Sequence, residues 1–181
     1  MVHKTSVISE KIVFGGEFLT LSELKLRLLS GKIETHHNVK RVPTITILPL
    51  TDNNELYLIS QYRYMHDEVM LEAIAGTVHQ GETALAAAKR ELLEEAGIAA
   101  KRWDKISDVI LAGSYVKANF SIFVARILTL GVPSPDEDEE IELVKMPIEE
   151  GVQKVLNGEI KIASCMLSIL LLDKMQREGK L

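Results

Sequence analysis

GTVHQGETALAAAKRELLEEAGI, residues 76–98, is the stretch whose reading decides the fold. Its first third is rich in turn formers, and its second part is an alanine-rich segment ending in three carboxylates, Glu91, Glu94 and Glu95. Thr83 is suited to an N-cap and Gly97 to the left-handed residue that ends a helix, so the spacing predicts a helix over Ala84–Ala96. At 100° per residue Leu85, Ala88, Leu92 and Ala96 share one face that can pack on a sheet. The carboxylates fall on a neighbouring face. Glu91 and Glu95 are one turn apart, and like charges at that spacing weaken a helix by a few tenths of a kcal/mol. They also sit near the C-terminal end, where the macrodipole disfavours anions. Arg90, four residues before Glu94, can neutralise that one carboxylate; a divalent cation would compensate the other two.

The rest of the chain bounds what such a site can serve. With 181 residues, 46% of them hydrophobic and 26% charged, the composition is that of a soluble protein with one full domain and a small appendage. A net charge of −5 excludes broad electrostatic binding to nucleic acid or to an anionic membrane, both of which need clustered Lys and Arg. An anionic substrate therefore needs a local remedy such as a bound cation. Cys165 has no second cysteine to pair with and lies in the apolar run IASCMLSILLL, where a buried, inert thiol is expected. The N-terminal MVHKTSVISEKIVF lacks the apolar core and cleavage site of a signal peptide. The longest apolar run is shorter than the ~20 residues that span a bilayer, so a cytoplasmic location with no membrane partner is expected.

The character of the sequence changes near Pro43. Before it, turn signals at Gly15-Gly16 and Ser30-Gly31 separate alternating segments, predicting a small antiparallel meander. After it, TITILPL and LYLISQYRY flank TDNNE as a hairpin, EVMLEAIAG reads as one further strand, and FSIFVARIL and EIELVKM as two more. IEEGVQKVLNGEI and KIASCMLSILLLDKMQREG read as helices. This order predicts an α/β sandwich on a mixed sheet.

The 76–98 stretch also carries a spacing. Gly76, five residues, Glu82, seven residues, Arg90-Glu91-Leu92, one residue, Glu94-Glu95, one residue and Gly97-Ile98 together resemble the signature of the Nudix hydrolases, and so many specified positions make chance agreement remote. The resemblance implies the Nudix α/β/α sandwich, a loop–helix–loop that holds Mg²⁺ or Mn²⁺, and hydrolysis of a nucleoside diphosphate linked to another group. Hard divalent cations take carboxylate and carbonyl oxygens; the resemblance places Glu91, Glu95 and the backbone carbonyl of Ala75 as ligands. Glu94 is either a further ligand or the partner of Arg90. Glu82 is expected to brace the loop, and Gly76 and Gly81 to allow its tight turns.

Beyond the motif, KIVFGGEFLTL, LISQYRY, LEAIAG and DEDEEIELVKMPIEEGVQKVLNGEIKIA are similar to the ADP-ribose pyrophosphatase branch, which also acts on other nucleoside diphosphate sugars. That branch implies a homodimer whose N-terminal β arm, residues 1–42, is exchanged between subunits, with residues 43–181 as the catalytic domain. It matches Phe18 to the aromatic that stacks on the base, Arg63 to a substrate-binding arginine and Glu72 to an acidic residue of the same cleft. On pattern alone, Phe18 also suits a core position, Arg63 a surface ion pair and Glu72 a structural brace. The resemblance also implies a water-activating base from Asp136–Glu140, at Glu139 with Glu140 one residue away. AGSYVKANFS, residues 112–121, departs from the Ser-Pro-Gly type of turn of many ADP-ribose pyrophosphatases, so ADP-ribose heads a list that keeps GDP-mannose and UDP- or ADP-hexoses. A nucleoside triphosphate or oxidised-nucleotide hydrolase, and a noncatalytic nucleotide-sugar sensor, are the alternatives. His36 and His37 read as surface or interface residues.

Overall fold

The structure, a computed structural model, describes residues 4–134 and 140–181. It divides into two compact units, one of residues up to Pro43 together with Val109–Asn119, the other of Thr44–Asp108 and Phe120–Leu181.

The first unit is a meander of β1 (Ser6–Gly15), β2 (Leu19–Arg27) and β3 (Ile33–Arg41), antiparallel in succession, with the short β9 (Val116–Lys117) parallel to β3. The predicted turn signals act where they stand: Gly16 N–H donates to Leu19 O at 2.9 Å, and Gly31, at φ 85°, closes the second turn by donating to Leu28 O. β1 is exposed along its whole length, and Val7, Ile12, Val13 and Phe14 are each more than half exposed. Such a meander has little core of its own.

The second unit is the predicted mixed α/β fold. One sheet has the order β7 (Ile74–Thr77), β4 (Thr44–Pro49), β10 (Asn119–Leu130), β8 (Ile98–Ile110), with β4 parallel to β10 and antiparallel to β7. A second, antiparallel sheet has β5 (Glu55–Arg63) between β11 (Ile141–Pro147) and β6 (Glu68–Glu72). Among the described residues, the helices are α1 (Ala84–Ala96), α2 (Ile148–Leu156) and α3 (Ala163–Arg177). Strands β4 and β5 are apolar at both parities because each feeds two cores. Ile45, Ile47 and Ile59 pack with Ala87, Ala88, Leu92 and Ala96 of α1. Leu48, Leu56 and Leu58 pack instead with Val152, Cys165, Ile169 and Leu172 of α2 and α3.

Four details differ from the sequence reading. The TITILPL–LYLISQYRY hairpin pairs only at the bridge Leu50↔Leu56, since its strands diverge into different sheets. EVMLEAIAG is two strands rather than one. Ala73 sits at the switch, and its N–H leaves the ladders for the sulfur of Cys165 at 3.1 Å; burial pushes that thiol up to about 12. β8 is a strand that the sequence pattern does not announce, its alternation hidden by Lys101, Arg102, Asp104, Lys105 and Asp108. These charges find partners: Arg126 Nε donates to Asp104 at 3.1 Å, and Lys105 pairs with Asp108 at 2.6 Å. On α1, Leu85 is 37% exposed and Ala87 takes a buried place instead.

Candidate active site

The loop before α1 starts on β7, whose register opposes Ala75 to Thr46 and Gly76 to Ile45. Thr83 caps the helix, its hydroxyl accepting from Ala86 N–H at 3.1 Å, and Gly97 ends it at φ 63°. Between these caps, the buried stripe Ala87, Ala88, Leu92 fixes the rotation of α1, which turns the carboxylates toward the preceding loop.

Arg90 is the hub. Its Nε and Nη2 donate to the two oxygens of Glu82, both at 3.2 Å, and Nη2 also donates to the Thr77 carbonyl at 3.0 Å. Nη1 donates to Glu91 at 2.8 Å and to Glu94 at 3.0 Å. Glu82 in turn accepts from His79 N–H at 3.1 Å, so the guanidinium ties both ends of the loop to the helix. The spacing predicts the Glu94 contact; the contacts to Glu91 and Thr77 are legible only in three dimensions. The Arg90 guanidinium holds the Glu82 carboxyl below its ordinary 4.5. Glu91 moves the other way, pushed up by burial that its bond to Arg90 only partly offsets.

The carboxyl of Glu91 lies directly against Gly76: a Cβ on that glycine would collide with Cγ, Cδ and Oε1 of Glu91. Gly76 is therefore needed for close approach rather than for a turn, and its φ is not in the left-handed region. This cradle sets the Glu91 carboxylate against the residue that follows Ala75. Glu94 is 47% exposed at its side chain against 13% for Glu91, and Glu95 is half-buried one turn beyond Glu91. The donor set of Ala75 carbonyl, Glu91 and Glu95 is all oxygen, which suits a hard divalent cation, and the Gly76 cradle fits such a use. Among the described residues, no three His, Cys, Asp or Glu side chains converge as a preformed metal cluster.

Arg63 and Glu72 form a second constellation. Nε and Nη2 of Arg63 donate to the two oxygens of Glu72 at 2.6 and 2.8 Å, a bidentate pair. The Glu72 side chain is 5% exposed and that of Arg63 39%. Glu72 ends β6, three residues before Ala75. Phe18 is in the first unit, 52% exposed at the turn from β1 to β2, and lines a cavity of about 330 Å³ with Leu19, Lys40, Arg41 and Pro43. Glu140 is exposed and lines a groove of about 460 Å³ with Ser60, Tyr62, Val69 and Glu142; the described lining holds no residue of α1. Glu139 lies outside the described residues, as does Asp136.

The NUDIX domain family model matches residues 40–163, and the chain belongs to that family. It is a Nudix hydrolase. The ADP-ribose pyrophosphatase of Bacillus subtilis (strain 168) is 26% identical over 164 residues, which cover 90% of this chain and 89% of that protein. The ADP-ribose pyrophosphatase of Mycobacterium tuberculosis is 27% identical over 171 residues, covering 93% and 83%. A crystal structure of ADP compounds hydrolase superimposes with a TM-score of 0.86 at 22% identity, over 100% of this chain and 99% of that one, which establishes the shared fold. Nudix hydrolases generally use divalent metal ions. No helix among the described residues is long and apolar enough to cross a membrane.

Proposed function

We propose that this chain hydrolyses the pyrophosphate bond of a nucleoside diphosphate sugar, with ADP-ribose the first candidate, using Mg²⁺ or Mn²⁺. The observation that carries the reading is the Glu91 carboxylate seated against Gly76, the residue that follows Ala75. A noncatalytic sensor would have no use for a carboxylate held there against its own burial. The substrate class is supported by the two relatives named ADP-ribose pyrophosphatase.

In this reading Ala75, Glu91 and Glu95 hold the cation, with Glu94 shared between it and Arg90. When bound, the cation supplies charge neutralisation at the diphosphate and a lowered pKa for a coordinated water. Arg90 keeps the loop and helix in one geometry. Arg63, oriented by Glu72, binds the substrate. Glu139, or Glu140 beside it, accepts the proton as the water oxygen bonds to phosphorus and the bridging P–O bond breaks; ADP-ribose then gives AMP and ribose 5-phosphate. The arm of residues 1–42 is exchanged in a homodimer, carrying Phe18 to the base of the partner's substrate; the exposed apolar strand β1 supports that arrangement.

The test is a panel of nucleotide sugars and nucleoside triphosphates incubated with the protein and Mg²⁺ or Mn²⁺ in ¹⁸O-water, with products identified by mass. Release of AMP from ADP-ribose is expected. Turnover of triphosphates alone would give the runner-up activity, and tight binding without products would leave a sensor.

A further inference from the structure

The C-terminal end of α1 does not stop in solvent. Helices leave their last four carbonyls without intrahelical partners, and here a later segment, Gly131 to Ser134, supplies a donor to one of them and a second to the cap residue. Ser134 N–H donates to the carbonyl of Glu94 at 2.9 Å, and Gly131 N–H donates to that of Gly97 at 2.7 Å. The segment passes so close over the cap that a Cβ on Gly97 would stand 2.5 Å from Pro133 N and 2.6 Å from Val132 C. The obstacle is backbone, which no side-chain rotation can clear. Val132 itself is 87% exposed, so backbone bonds and the absence of a side chain at position 97 hold the segment, with no contribution from an apolar plug.

We propose that residues 131–134 form a strap that positions the last turn of α1, the turn that presents Glu94 and Glu95, and that Gly97 is required to seat it as well as to end the helix. The inference rests on the reading that Glu95 helps to hold the cation. The strap acts through the helix backbone: its donor from Ser134 fixes the peptide of Glu94, and with it the direction in which the two neighbouring carboxylates leave the helix. Gly97 and Ser134 are accordingly positioning residues for the site.

Two substitutions separate the strap from an ordinary helix cap. Asn adopts the left-handed conformation readily, so Gly97→Asn preserves the cap and introduces a side chain whose Cβ meets the segment's backbone. Ser134→Pro deletes the N–H that reaches Glu94 and leaves Gly97 alone. Mn²⁺ binding to the substrate-free protein, followed by electron paramagnetic resonance or calorimetry, is expected to weaken about tenfold or more in Gly97→Asn and several-fold in Ser134→Pro. Ile169→Val, in the core on the α2/α3 side, is the control for general loss of stability and is expected to bind Mn²⁺ like wild type. Wild-type Mn²⁺ affinity in Gly97→Asn and Ser134→Pro overturns the strap, as does an equal loss in Ile169→Val. Glu95→Gln, measured alongside, is expected to weaken Mn²⁺ binding. If it does not, the metal reading fails and the strap with it; if only Glu95→Gln weakens, the strap alone fails.

Discussion

Glu91 fills the space in front of Gly76 that any other residue at that position would need for its own Cβ. Gly76→Ala therefore has two resolutions, displacement of the Glu91 carboxyl or displacement of β7. Either one changes where the carboxylate sits relative to β7. A misplacement on the order of 1 Å costs about 10²-fold in rate, and kcat of Gly76→Ala at saturating metal is expected to fall by about that factor. Overpacking should also lower stability by ~1–3 kcal/mol. Steady-state kinetics with a urea melt checks both, and an unchanged kcat would show that the cradle is not used.

The Arg63–Glu72 pair has an asymmetric consequence. Glu72 is nearly buried, whereas Arg63 reaches the surface. Removing the guanidinium leaves a desolvated carboxylate without this partner, which costs roughly 3 kcal/mol, at the low end for broken buried pairs because Arg63 is partly exposed. Arg63→Ala should thus be both less stable and poorer in KM. The double variant Arg63→Ala/Glu72→Gln should recover much of the stability and none of the KM, a separation readable from thermal melts beside kinetics.

The helix geometry of the candidate site was legible in the sequence because helical spacing translates directly into a shared face. The caps Thr83 and Gly97 and the Arg90–Glu94 contact follow from positions in the chain alone. Contacts between elements were not legible. That Arg90 also holds Glu91 and the Thr77 carbonyl, or that Pro133 rests on Gly97, depends on how loop and helix meet. Strand β8 was hidden for a different reason: its charges pair with one another and with Arg126, so a half-buried strand reads as a polar linker. The break at Ala73 was hidden because the apolar run does not falter there; only the Cys165 sulfur, distant in sequence, absorbs the N–H that the sheets leave over.

Ile127 carries strain that a substitution can release. Its φ of 57° is left-handed, unfavourable by about 1–2 kcal/mol for an L-residue, and its β-branched side chain is half exposed. The irregularity changes parity along β10: Phe123 and Ala125 face the α1 core, and Leu128 rejoins the same core three residues later. Gly adopts that backbone freely. Ile127→Gly is expected to stabilise by about 1 kcal/mol, raising Tm by ~2–4 °C, with activity unchanged. A lower Tm would mean that the Ile127 side chain contributes more than its conformation costs.

The loop and helix carboxylates should respond to acid with opposite sign. Glu82 has a folded pKa lowered by Arg90, so its contribution is present above the ordinary 4.5 and lost as pH falls through the lower folded value. Glu91 has a folded pKa raised by burial; its ionised form costs stability at neutral pH, and that cost disappears as pH falls toward 4.5 and below. In EDTA at pH 7, Glu82→Gln should melt below wild type and Glu91→Gln above it. Both differences should shrink on acidification, that of Glu91→Gln already between neutral pH and 4.5 and that of Glu82→Gln only below 4.5. Melts from pH 7 to 3.5 decide it; a destabilised Glu91→Gln at pH 7 would mean that its bond to Arg90 outweighs burial.

The base that activates water separates Glu139 from Glu140. Glu140 is exposed beside Ser60 and Tyr62, and the proposed reading gives the proton to Glu139. A carboxylate near bound cations has a lowered pKa and stays ionised at neutral pH, ready to accept. Losing a general base typically costs a factor of ~10²–10⁴ in rate. Glu139→Gln should lower kcat by that order while Mn²⁺ affinity and KM stay near wild type, and Glu140→Gln should stay within a few-fold of wild type. If the loss falls on Glu140→Gln instead, the register is off by one residue. If both variants remain fast, the water is activated by the cations or by the α1 carboxylates, and Glu94, the most exposed of those paired to Arg90, is the side chain that separates the two: Glu94→Gln depresses kcat, with the acid limb of the pH–rate profile lost, only if a carboxylate is the acceptor.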